Sequence, residues 1–334
     1  MSRRIPFGIL IGVFVLSFMA GSFITAGPAE AMDKVTLRTN WLFYGSHGIF
    51  YYGKDKGFYE EQGIALDVRQ GNGSGNAVRL VANKNDTFAY ASSSTMMNLA
   101  AKDAPVISVA TIDATGADAC LCRPDSGVKE IKDLEGKQVM TTAAASVNTF
   151  FPVALKNAGV DAGKVKIVNV AEAALVPSYL QNKAPCILGG IDDKPAEIKA
   201  NGGEDPVIFN YANYGVYQPG YSIVAHKDLV KDNPDLVRRF VKATLQATAA
   251  AQANPDECID SLVNWAGEAA VERKQARQVL DVTLSILISP NNTEKKLGLN
   301  VEKDWASAME LFKAYKDLKT DKKPTDFFTN EFID

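Results

Sequence analysis

The stretch from Val35 to Val68 constrains this chain more than any other. Val35, Leu37 and Thr39 alternate with polar or charged neighbours, the period of a strand with one face covered. Alternation ends as Trp41, Phe43 and Tyr44 arrive, and Gly45-Ser46-His47-Gly48 turns the chain. A helix is expected over Gly48–Glu61, with Gly63 placed as a C-cap glycine. Ile64-x-Leu66-x-Val68 is a second strand. Strand, polar loop, helix, strand is the grammar of an α/β fold, and most residues of binding character fall where a strand hands over to a helix.

The rest of the chain repeats that grammar. Gly71-Asn72-Gly73-Ser74-Gly75 precedes a helix over Asn76–Asn83 and lacks the Lys-Ser/Thr of a nucleotide loop. Phe88–Ala91 runs into Ser92-Ser93-Ser94-Thr95 and a helix, Met96–Ala101. Val106–Ala110 is apolar enough to be covered on both faces. Thr111–Asp125 reads as a crossover into a second lobe. There Gln138–Met140, Val165–Val170, Cys186–Leu188 and Val207–Phe209 are strands, and Val147–Ala158 and Ala173–Gln181 are helices. Tyr221–Ala225 is the return crossing. Beyond it Asn233-Pro234 and Asn254-Pro255 start helices with a cap and an N1 proline. The stripe Val301, Trp305, Ala308, Met309, Phe312, Tyr315 marks the last helix. These helices are expected to dock on lobe one, with Phe327 and Phe328 of the tail packing back. The expected organisation is a signal peptide over 1–31, lobe one from 32 to 118, lobe two from 119 to 222, and a return to lobe one over 223–334.

The chain has 334 residues, enough for two lobes. A net charge of −3 argues against a nucleic-acid partner, which needs clustered Lys and Arg. Arg3 and Arg4, the apolar run Phe7–Phe23 and Ala29-Glu30-Ala31 have the form of a cleaved export signal, so a periplasmic location is expected. In an oxidising compartment Cys120, Cys122, Cys186 and Cys258 can be buried thiols or include one disulfide, and the pairing stays open. A Cys-x-Cys metal pair is the less favoured alternative. With two histidines and no nucleophile elbow, His-Glu zinc pair or Cys-His arrangement, no catalytic residue, metal ligand or cofactor is expected.

The candidate ligand-binding residues follow from the strand ends. Trp41 and Tyr44 stand in a glycine-bearing loop where rings can stack on a flat ligand. His47, near a helix N-terminus, is expected to be neutral and to offer one donor and one acceptor. Ser92, Ser93 and Ser94 supply more hydroxyls than one helix cap requires. Thr141, Thr142 and Ser146 repeat that device in lobe two. Gly190, Asp192 and Asp193 follow a strand end, where the carboxylates can bind ligand donors or cap the next helix. Tyr214 and Tyr217 are candidates for the cleft wall. The expected function is capture of a solute between two lobes by a monomeric binding protein.

The residues Thr39-Asn40-Trp41, His47-Gly48, Tyr51-x-Gly53, Gly57-Phe58-Tyr59 and Gly63-Ile64 resemble the opening of periplasmic solute-binding proteins of the thiamine-pyrimidine-precursor type, relatives of the nitrate, sulfonate and taurine binding proteins. Asp133-Leu134-x-Gly136-Lys137, Val168-Asn169-Val170, Leu188-Gly189-Gly190 and Gly215-Val216-Tyr217 fit the same pattern. The resemblance implies a type II periplasmic-binding-protein fold, delivery to an ABC permease in the inner membrane, and pocket roles for Trp41, His47 and the loop after Gly190. Where the pyrimidine-binding branch has an aromatic pair and a glutamate, this chain has Ile191-Asp192-Asp193-Lys194-Pro195. A flat heterocyclic or aromatic solute, a sulfonate- or nitrate-type anion, and a ligand-presenting sensor role all remain open. The related pyrimidine synthases carry a cysteine-rich iron motif that this chain lacks, which weakens the enzyme alternative on the same fold.

Overall fold

Sheet formation begins with the alternating apolar positions of the first strand and continues through later strands that are buried on both faces. The computed structural model describes Met1 and residues 31–334, apart from 143, 144, 149, 268 and 317. Apart from its two end residues, the expected signal peptide lies outside the described residues. Residues 32–334 form one unit. Among the described residues no helix is long and apolar enough to cross a membrane.

Its first part contains β1 (Asp33–Arg38), α1 (Gly48–Asp55), β2 (Ile64–Arg69), α2 (Ser74–Ala82), β3 (Phe88–Ser92), α3 (Ser93–Ala101) and β4 (Val106–Thr111). Next come β5 (Asp118–Cys122), β6 (Gln138–Thr141), α4 (Phe151–Asn157), β7 (Lys166–Asn169), α5 (Glu172–Leu180), β8 (Cys186–Gly190), α6 (Lys194–Ala200) and β9 (Val207–Asn210). The chain then makes β10 (Tyr221–His226) and the helices α7 (Lys227–Asp232), α8 (Pro234–Ala253), α9 (Pro255–Ala266), α10 (Arg273–Ser285) and α11 (Glu302–Lys316).

Two five-stranded sheets result, ordered β2-β1-β3-β10-β4 and β7-β6-β8-β5-β9. Each has one antiparallel member, β10 in the first and β5 in the second. Each of those strands is donated by the chain as it crosses from one lobe to the other. The lobes therefore share one topology with their antiparallel strands exchanged. Alternation along β3 sends Phe88 and Tyr90 into one core with α8, and Ala89 and Ala91 into another with α2 and α3. Phe88 stacks on Phe240 of α8 with ring centroids 4.0 Å apart. In the second sheet Cys120, Cys122 and Leu188 face α4, whereas Leu121 and Ile187 face α5 and α6.

Three departures from the sequence expectations have local causes. The helix expected over Gly48–Glu61 stops at Asp55 because Gly57 takes a left-handed φ of 78°. The reversal returns Tyr59 to the core, where its hydroxyl meets Thr244 Oγ1 at 3.1 Å. The helix expected over Val147–Ala158 is a 3₁₀ turn, Ser146–Asn148, followed by α4, with Pro152 in the first turn, where no N–H is needed. The last helix, α11, straddles the lobes: Trp305, Ala308 and Met309 sit in a lobe-one core, while Leu311 sits in the lobe-two core. Phe312 reaches Phe150 at 5.7 Å between centroids.

Cys122 and Cys186, directly opposite on β5 and β8, form a disulfide, and Cys120 and Cys258 are buried thiols. The tail closes over lobe one, with the Ser108 N–H donating to the Phe327 carbonyl at 2.9 Å and Phe328 stacked on Trp305.

Candidate functional site

Parallel strands present their carboxyl ends on one side of a sheet, and ligands of open α/β sheets bind beyond those ends. Here the ends of β3 and β8, with the starts of the antiparallel β5 and β10, border one cavity of about 340 Å³ between the lobes. Lobe one contributes Tyr44, Ser92 and Ser94; the crossings contribute Asp118, Gln218 and Tyr221; lobe two contributes Phe150, Gly190, Asp192 and Asp193. A second hollow of about 360 Å³ shares Tyr44, Asp192, Asp193 and Tyr221 and is extended by Asn40, Trp41 and Ser74.

Local chemistry sets each wall. Ser92 caps α3, its Oγ accepting from the Thr95 N–H at 3.4 Å and lying 3.0 Å from Ser94 Oγ. The Ser92 N–H donates to Ser74 Oγ at 3.0 Å, which ties the glycine-rich loop to β3. The two crossings meet at Gly220, whose N–H donates to the Asp113 carbonyl at 2.8 Å. A Cβ there would lie 2.7 Å from the Thr115 carbonyl oxygen, so no larger residue fits without separating the crossings. At Gly190 a Cβ would lie 2.1 Å from Asp192 Oδ1. Glycine thus lets that carboxylate fold back over the end of β8.

The site is rich in acids. Asp118 Oδ2 accepts only a long bond, 3.4 Å, from Gln218 Nε2. Asp193 lies 3.3 Å from Lys194 Nζ, which also donates to Glu197 at 2.8 Å. Asp193 holds the N-cap position of α6 without a side-chain capping bond, and its Oδ1 is buried with no hydrogen-bond partner. Burial, reinforced by Asp193 and Asp118, pushes the Asp192 carboxyl up to about 7. Burial raises Asp118 to about 6. Behind the floor, burial takes Asp113 to about 8 although the Tyr90 hydroxyl donates to it at 3.0 Å. Burial and the aspartates 192 and 193 hold the Tyr44 phenol protonated. It donates to the Asp192 carbonyl at 3.2 Å, a direct bond between the lobes.

The sequence-predicted residues divide by position. Trp41, Tyr44, Ser92, Ser94, Gly190, Asp192 and Asp193 border the cavity or its adjoining hollow. Trp41 is 52 % exposed. His47 is buried away from that border: its Nε2 pairs with Asn40 Oδ1 at 2.7 Å and its ring packs edge-on to Tyr90. Burial lowers it to about 3, so the expected neutral ring is present but serves to hold the loop. Ser93 turns inward to Ser222 Oγ at 2.6 Å. Thr141 donates to Asn148 Oδ1, and the Thr142 carbonyl accepts from Asn148 Nδ2 at 2.8 Å. Ser146 opens the 3₁₀ turn whose Val147 lines the cavity. Tyr214 packs beside the lobe-two core, and Tyr217 lies beneath the Lys303 ammonium.

Sequence reasoning passed over Asp118, Gln218, Tyr221, Phe150 and Phe312. Asp118 and Tyr221 lie on segments read as crossings, and Gln218 falls just before the second of them. An acid at the mouth of an otherwise apolar strand, as at Asp118, was the available signal.

The NMT1/THI5-like family model matches residues 45–258. The riboflavin-binding protein RibY of Chloroflexus aurantiacus is 25 % identical, covering 99 % of this chain and 97 % of its own. The formylaminopyrimidine-binding protein of Halalkalibacterium halodurans is 22 % identical over 92 % of each chain. Among solved structures, the periplasmic aliphatic sulphonate-binding protein SsuA of Escherichia coli superposes with a TM-score of 0.63 at 14 % identity, covering 87 % of this chain and 94 % of that one. With this fold, and with its family model matched over well more than half its length, the chain belongs to the NMT1/THI5-like family and has the fold of periplasmic solute-binding proteins.

Proposed function

We propose that the protein is an extracytoplasmic receptor that captures a small flat heterocyclic or aromatic solute between its lobes and hands it to an ABC permease. One observation carries this reading: both sheets bring strand ends to a single cavity, with the rings of Tyr44, Phe150 and Tyr221 on its walls. Ring-lined clefts with a set of convergent polar groups are the usual seat of small-molecule ligands, and two lobes joined by crossing strands can close on one by a hinge. Relatives named as binding proteins support capture without turnover. The export pattern and the periplasmic relative support a periplasmic location.

Trp41 gives the first test. It is half-exposed beside the cavity, so Trp41→Ala should lower solute affinity by roughly tenfold or more, the weight of a stacking ring. The melting temperature of the free protein should stay close to wild type, because the ring buries little core. Calorimetry with the solute released from gently purified protein measures the first quantity, and scanning fluorimetry the second. Unchanged affinity in the folded variant would remove Trp41 from the site.

A further inference from the structure

The charges around the cavity narrow the solute. Asp118, Asp192 and Asp193 border it, and no lysine, arginine or histidine stands among the described residues that do. The Lys194 ammonium beside it lies 3.3 Å from Asp193 and 2.8 Å from Glu197. A sulfonate or nitrate needs several donors around an anion and no like charge beside it, whereas three carboxyl groups stand among the hydroxyls of this wall. On that wall Asp193 Oδ1 is buried and accepts no hydrogen bond, while Oδ2 of the same carboxylate faces Lys194 Nζ.

We infer that the solute is an organic cation bearing N–H donors, a protonated amine or amidine on an aromatic or heteroaromatic ring, with its charged end between Asp118, Asp192 and Asp193 and its ring against Tyr44 and Tyr221. This rests on the solute-binding reading above and deepens it. The N–H requirement follows from Asp193 Oδ1, which a quaternary ammonium cannot satisfy. Aromatic faces add attraction for a cation held over them. The raised Asp118 and Asp192 carboxyls are those of desolvated acids, and an incoming cation restores their charge.

Benzamidine, benzamide and benzenesulfonate share one ring and differ in charge. They are to be run with a wider panel of ring amines, amides, carboxylates and sulfonates by thermal shift and calorimetry on the mature chain. The cationic members should bind, and benzamidine should bind at least about tenfold more tightly than the other two. Asp192→Asn should weaken the best cation by roughly ten- to a hundredfold, the scale for removing one partner of a buried charge pair. Asp118→Asn is the second variant, should the first not fold. Equal or tighter binding of neutral or anionic members, or an Asp192→Asn protein with unaltered affinity, would overturn the charge assignment while leaving solute capture standing. A panel in which no member binds would overturn both.

Discussion

Protein carrying Cys122→Ala and Cys186→Ala together is expected to unfold with about 4 kcal/mol less resistance than wild type. The bridge joins residues 64 apart, and the chain-entropy relation gives that figure for a loop of such length. The enclosed loop holds β6, α4, β7 and α5, most of the parallel part of lobe two. Without the bridge, the unfolded ensemble of this segment is freer, while the native pairing of β5 with β8 persists through its ladder. Both cysteines must be replaced, because Cys120 Sγ lies 3.9 Å from Cys122 Sγ and would offer a lone cysteine a new partner. Urea unfolding, followed by circular dichroism, measures the loss. A decrease below about 1 kcal/mol would show that residual structure in the unfolded chain already closes this loop.

The ligand-free protein should gain stability as pH is lowered from 8 to 5. Asp113, Asp192 and Asp118 have folded values of about 8, 7 and 6, all raised first by burial. An acid whose folded value exceeds its unfolded one binds more protons when folded, so its stabilisation is complete at low pH and is lost as pH rises through the folded value. His47 opposes this: burial lowers it to about 3, so below about 6.5 the unfolded state takes up a proton that the native state refuses. Asp193, itself raised by burial, and Tyr44, Tyr90, Tyr221, Lys194 and Glu197 also face this cluster. At about 1.4 kcal/mol per pH unit for each unbalanced proton, the carboxyls outweigh the histidine by on the order of 6 kcal/mol across this window. Calorimetric melting from pH 5 to 8 reads the slope, and Asp113→Asn should flatten its upper half. A melting temperature that rises towards pH 8 would contradict the buried-acid cluster.

Much of this architecture was legible because period-two alternation and glycine stops are local. Val35, Leu37, Ile64 and Leu66 face the core that their spacing implies. What escaped depends on contacts between distant segments. Nothing near Thr141 announces that Asn148 takes its hydroxyl, nor near His47 that Asn40 and Tyr90 enclose it. The bridging role of α11 was hidden because Phe312 continues the same apolar stripe as Trp305 while Leu311 lies off it, and periodicity does not say which lobe each residue meets. Asp118 and Tyr221 were overlooked because a crossing strand reads as a connection until both sheets are seen to end there.

One unaltered solute is expected where the two sheets converge. A crystal structure of the mature chain grown with the tightest ligand from the charge-sorted panel tests it most directly. One intact molecule per chain is expected, its ring against Tyr44 and Tyr221 and its charged nitrogen at Asp192 and Asp193. A solute seated instead in the separate pocket beside Lys84, Asp86 and His226, or a chemically changed product between the lobes, would contradict it.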